Sequence, residues 1–199
     1  MAELSPQPHQ PLREPVARPP NDRSRAVRGG VVAGIVGGLA LAIFLAVVAL
    51  LNGMPVAPVF KGAALPLFGP ERVSSPLWEP GVVVLGTLLH LAVSIVWGVL
   101  FGLLFYGMSR AATMLAGIGW GLTVWIGMFY VVLPLTGGFG VTQATPLWQA
   151  ITMHLVFGLA AAAAFLPFQR RIPRPQRTRR ERGDVRPFMN IQKGHRLTV

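Results

Sequence analysis

Apolar residues in this chain gather in four long blocks instead of alternating with polar ones. The blocks cover residues 30–51, 82–106, 112–135 and 147–168, 22 to 25 residues each, and none contains Asp, Glu, Lys or Arg. A helix rises about 1.5 Å per residue and a bilayer's hydrocarbon core is about 30 Å thick, so about 20 residues suffice to cross it. Backbone groups in hydrocarbon find no water to bond, so such blocks must be helical. Four of them in 199 residues leave no polar shell that would bury them in a soluble core. The pattern predicts an all-α polytopic membrane protein, a four-transmembrane-helix bundle over residues 30–168.

The polar segments complete the plan. Residues 1–29 hold six prolines and five arginines, too little apolar surface to offset ordering, and read as a disordered N-terminal tail. The stretch is too long and proline-rich for the charged start of a cleaved secretory signal, although residues 30–52 suit an uncleaved signal anchor. Residues 52–81 carry six prolines and a mildly apolar run; about 30 residues is long for a structureless connection, so an ordered loop with a short interfacial helix is expected. Residues 169–199 form a basic tail.

Charge sets the orientation. Five basic residues precede residue 30, ten follow residue 168, and Arg110 sits between the second and third blocks; the other face has only Lys61 and Arg72. The positive-inside rule puts both termini in the cytoplasm, with Trp78 and Trp148 at the outer interface and Tyr106 at the inner one. The net charge of +11 suggests nucleic acid at first sight, but it lies in the tails of an apolar body, which argues against a nucleic-acid partner. Arg170, Arg171, Arg174, Arg179 and Arg180 are instead candidates to meet anionic lipid headgroups, or serve as an ordinary positive-inside anchor. Charged residues make up 13% of the chain against about 25% in soluble domains, and mean hydropathy is +0.54, both consistent with a surface in lipid. The absence of cysteine excludes thiolate chemistry, disulfides and cysteine-held metals.

The chain also echoes itself. Ala33-Gly34-Ile35-x-x-Gly38-Leu39-x-x-x-Ile43 in the first block matches Ala116-Gly117-Ile118-x-x-Gly121-Leu122-x-x-x-Ile126 in the third at six of eleven positions. Ser75-Pro76-Leu77-Trp78-Glu79 echoes Thr145-Pro146-Leu147-Trp148-Gln149, and His90-Leu91 echoes His154-Leu155. The order is preserved, which predicts two parallel helical-hairpin repeats about an axis along the membrane normal; the alternative is that glycine-rich helices resemble one another by composition. Gly34 and Gly38, Gly98 and Gly102, Gly117 and Gly121, and Gly158 have the spacing of close helix contacts, either inside the bundle or with a second copy or another membrane protein.

Within the blocks His90 and His154 are the two groups with acid–base chemistry. Intramembrane ionisable residues usually face the bundle interior. Each lies about 10–12 Å below the outer interface, so the pair is level and equivalent in the repeat. Two imidazoles across an axis can ligate haem or another metal, or pass protons. They can equally hydrogen-bond a carbonyl or hydroxyl nearby, with Thr87, Ser94, Trp97 and Thr152 in reach, and Thr123 and Trp125 adding polar groups on the third block. No Ser–His–Asp set, phosphate loop or HExxH motif is present, and no acid lies in the blocks, so no enzyme activity is expected.

The arrangement resembles small bacterial inner-membrane proteins of unassigned function, on Ala33-Gly34-Ile35, His90-Leu91 with Gly98, Trp120-Gly121-Leu122, and His154-Leu155 with Gly158. The resemblance implies a multi-pass protein of the bacterial inner membrane and lends no catalytic residue. The leading expectation is a non-enzymatic membrane protein acting through packing or partner contacts. The alternatives are a haem- or metal-binding accessory protein using His90 and His154, and a small channel or transporter.

Overall fold

A computed structural model of the chain describes residues 21–169. These form α1 (Asn21–Leu51), α2 (Ala57–Lys61), α3 (Leu65–Ser74), α4 (Pro80–Phe105), α5 (Arg110–Gly127), α6 (Leu133–Leu135), α7 (Phe139–Ala144) and α8 (Leu147–Phe165). Short 3-10 turns occupy Gly62–Ala64 and Leu166–Phe168, and a π-helical segment, Met128–Val132, joins α5 to α6. There is no strand among the described residues. Four helices, α1, α4, α5 with its π and α6 continuation, and α8, are long and apolar enough to cross a membrane.

The first helix departs from expectation. It starts at Asn21, so residues 21–29 are helical where a disordered tail was expected. Proline runs out at Pro20, and Asp22 in the first turn suits the helix dipole. The turn is also tied down. Tyr106 Oη donates to Asp22 Oδ1 at 3.1 Å, Arg25 donates to the Pro167 carbonyl, and Ala26 is buried against Gly102. The other tail also begins later than expected. Gln169 is buried, its Nε2 donating to Phe105 O (2.9 Å) and Thr113 Oγ1 (2.7 Å), while its Oε1 accepts from the Gly107 amide. The remaining parts of both expected tails lie outside the described residues.

Helix α1 packs along both α4 and α8, and α5 packs along α8. The spatial order is therefore α4–α1–α8–α5, with α4 and α5 meeting chiefly through side chains. Glycines permit the close seams. A Cβ on Gly34 would run into the Ser94 carbonyl and the Ile95 backbone, and one on Gly98 into Gly30 and Gly34. Gly102 lies against Ala26 and Gly30; Gly117 and Gly158 lie against each other, and Gly121 against His154 and Leu155. Bare glycine surfaces bring backbones together where dispersion has to supply the attraction. On the α4–α5 side large rings fill the space instead: Trp97 and Trp120 stand edge to face at 5.7 Å, with Phe101 and Phe105 also against Trp120.

The segment between α1 and α4 folds as a roof. Lys61 is wholly buried; its Nζ donates to the carbonyls of Arg72 (3.0 Å), Ser75 (2.7 Å) and Leu77 (3.1 Å) and lies 3.7 Å from Glu79 Oε1. Arg72 Nε donates to the other Glu79 oxygen at 2.7 Å. That hydrogen bond leads in holding the Glu79 carboxyl below its usual pKa, with the charges of Arg72 and Lys61 adding to it. Gly86 on α4 lies directly beneath Phe60 and Lys61, where a side chain would push the roof away.

Candidate functional site

Beneath that roof is a cavity of about 270 Å³. All four long helices and the α2–α3 segment contribute to its wall, which is overwhelmingly apolar, and both His90 and His154 line it. Residues 64 positions apart in the chain thus share one space. Leu39, Val93 and Val141 line it and are also exposed, which marks where it reaches the protein's surface.

Each imidazole is anchored by a backbone carbonyl. His90 Nε2 donates to Gly38 O on α1 at 2.9 Å. His154 Nδ1 donates to Ala150 O, one turn back on its own helix, at 2.7 Å. A carbonyl oxygen can only accept, so these bonds fix which ring nitrogen carries the proton. Three of the hydroxyls that sequence offered as partners bond elsewhere: Thr87 to Val83 O, Thr152 to Trp148 O and Thr123 to Gly119 O. The Phe129 ring stands edge-on to His154, centroids 5.6 Å apart.

Phe129 belongs to the π segment, a feature the sequence reading did not contain. Proline has no N–H and its ring crowds the carbonyl four residues back, so Pro134 disturbs the helix around Tyr130. The extra residue in the widened turn brings Met128, Phe129 and Leu133 onto the cavity wall. Pro134 in the third block was the available clue. Lys61 gave none: a lysine in a proline-rich loop reads as a solvated charge, and its burial follows from three carbonyls that only the fold assembles.

Of the other expected site residues, Gly34, Gly38, Gly98, Gly102, Gly117, Gly121 and Gly158 all lie at helix contacts within the chain. Arg170, Arg171, Arg174, Arg179 and Arg180 lie outside the described residues. No group of three or more His, Asp or Glu able to hold a metal ion occurs among the described residues. The indole N–H groups of Trp120 and Trp125 are buried without a hydrogen-bond partner.

Fold and cavity together define an all-helical protein with four potential membrane-crossing helices around a histidine-bearing apolar chamber. The chain belongs to a family described as a family of unknown function (DUF6789), whose model matches residues 24–176 and so takes in all four long helices. No curated protein and no solved structure matches the chain.

Proposed function

We propose that this is a multi-pass membrane protein, with both termini cytoplasmic, that binds a small apolar molecule in the chamber beneath the α2–α3 roof without transforming it. The observation that carries the reading is the convergence of His90 and His154 on one apolar cavity. Membrane insertion is supported by the four long apolar helices and by the large residues they expose, among them Ile43, Val84, Leu104 and Leu115. Such a surface is far larger than water tolerates on a monomer. Arg23, Arg25, Arg28 and Arg110 gather at the end opposite the roof, which supports a cytoplasmic face there and an outer location for the chamber.

Duplication of a helical hairpin is part of the same reading. In the register of the sequence echo, Ser94 corresponds to Gly158 and Gly98 to Ala162. Gly34 packs on Ser94 and Gly98, and Gly117 packs on Gly158 and Ala162. The same register pairs Gly37 with Trp120 and Trp97 with Ala161. Gly37 lies on the seam between α1 and α8, where it meets Phe157, and tryptophans occupy the α4–α5 side. Two copies of one hairpin have diverged at these positions, and the chamber lies where the second pairing is held apart.

The size favours a small guest. Sites for drug-sized ligands run to about 300–1,000 Å³, so a chamber just below that range suits a molecule well below a porphyrin, which weakens the haem alternative. A through-pore is disfavoured because Trp97, Trp120 and fully buried Phe101 fill the interior below. The test is equilibrium binding of 4-propylphenol, 4-propylanisole and propylbenzene to the full chain in lipid nanodiscs. Saturable binding is expected, lost in Ala42→Phe, which fills the chamber from α1. Binding of none of the three would overturn the reading.

A further inference from the structure

We infer that the guest is held through a hydroxyl group and is a phenol-type ring alcohol whose O–H donates to an imidazole lone pair. This rests on the ligand-binding reading above and concerns the chemistry of the guest's polar end. Both imidazoles spend their N–H on a backbone carbonyl, His90 through Nε2 to Gly38 and His154 through Nδ1 to Ala150. In a neutral ring the second nitrogen is then a lone-pair acceptor. His90 Nδ1 and His154 Nε2 are thus two acceptors of the same kind, reached by opposite tautomers, on rings that border one apolar space. Neither has a protein donor among the described residues.

An acceptor on an apolar wall with no protein donor gains a hydrogen bond from a guest that supplies one. A carbonyl or ether oxygen would instead set lone pair against lone pair. The other polar groups on the wall narrow the choice further. The Thr87 hydroxyl proton is already given to Val83 O, whereas Ser94 brings a hydroxyl to the wall beside Gly38. A guest hydroxyl can donate to an imidazole and accept from Ser94, which an ammonium group cannot do. The remainder of the wall favours a ring: Phe60, Trp97, Phe129 and Phe157 line the chamber, and aromatic rings pair favourably edge to face or offset.

The experiment compares 4-propylphenol with its methyl ether, 4-propylanisole, on the full chain in nanodiscs, with the histidines labelled with nitrogen-15. The phenol should bind roughly tenfold or more tightly than the ether, the discrimination a buried hydrogen-bonding site exerts against an analogue lacking its donor. Lone-pair nitrogen resonances, assigned to His90 and His154 with His90→Phe and His154→Phe, should move upfield with the phenol and stay in place with the ether. Equal binding of phenol and ether, with unmoved resonances, would overturn the hydroxyl assignment while leaving the chamber a binding site. Binding of neither, nor of propylbenzene, would remove the underlying reading instead. Zn²⁺ added alone is the third arm. If it shifts both imidazoles while the phenol shifts neither, the two lone pairs belong to a metal and the inference fails.

Discussion

His90 and Gly38 depend on each other across the α1–α4 seam. The imidazole Nε2 donates to the Gly38 carbonyl at 2.9 Å, and a Cβ at residue 38 would sit 2.6 Å from Ser94 Oγ and 3.5 Å from that same nitrogen. Gly38→Ala should therefore destabilise the bundle by about 1–3 kcal/mol, the usual range for overpacking. The obstruction is a side chain, so Ser94→Gly, which removes it, should restore most of the loss. Gly34→Ala meets the Ser94 and Ile95 backbone, which has no rotamer to offer, and the same rescue should fail there. Unfolding midpoints of the four variants in detergent provide the check; equal rescue at both positions would contradict the seam described.

Lys61 is the keystone of the roof. Removing it strands three carbonyls that have turned inward to meet it, and stranded buried acceptors cost about 1–3 kcal/mol each before any relaxation. Lys61→Met keeps an unbranched apolar stem and loses the ammonium group. It should leave the four long helices intact by circular dichroism yet raise proteolytic cleavage and hydrogen exchange between residues 57 and 79. Unchanged protection of that segment would mean the roof is held by Gly86 and the Phe60–Trp78 contact at 5.9 Å instead.

Acid should loosen the same roof. The folded pKa of Glu79 lies below its ordinary value of 4.5, first because Arg72 donates to it. A carboxylate with a depressed folded pKa gives its full stabilisation above the unfolded value and loses it as pH falls through the folded one. Exchange protection of residues 57–79 should thus be constant from neutral pH down to about 5 and decline below the 4.5 of the unfolded group. Glu79→Gln should be less protected at neutral pH and should lose most of that acid response. A decline that persists unaltered in Glu79→Gln would assign it to other carboxyls.

Much of the bundle was legible because its determinants are local. An unbroken apolar block fixes a helix, and glycines at intervals of four fix the face by which it packs, so α1, α4, α5 and α8 followed from composition along the chain. The echo between His90-Leu91 and His154-Leu155 singled out the two histidines that line the chamber. What stayed hidden depends on tertiary context. The start of α1 at Asn21 rests on Tyr106 and Pro167, distant residues that reach back to hold its first turn. The inward lysine needed the roof to exist before its burial was sensible. The two imidazoles also turned out unlike in detail: His90 crosses to another helix and His154 folds onto its own, a difference no alignment of their flanks contains.

Trp97 and Trp120 fill the space between α4 and α5. Their rings meet edge to face at 5.7 Å, and Phe101 and Phe105 close around Trp120. In the proposed duplication, Trp97→Ala makes the position like Ala161, and Trp120→Gly makes the other like Gly37. Each alone should cost about 3–5 kcal/mol, since a large ring is removed from a packed site. If the two rings act as a spacer, the double variant should cost less than the sum, by about 0.5–1.5 kcal/mol for the lost edge-to-face contact and more where the helices close up as α1 and α8 do. Closure has a second readout, because Trp97 also lines the chamber. Distances between spin labels at Leu104 and Leu115, both exposed, should shorten in the double variant, and 4-propylphenol binding should fall with them. Additive costs with an unchanged label distance would mean that the splay of α4 and α5 is set by the turn at Gly107, whose φ of +91° fixes how the chain reverses, and not by the tryptophans.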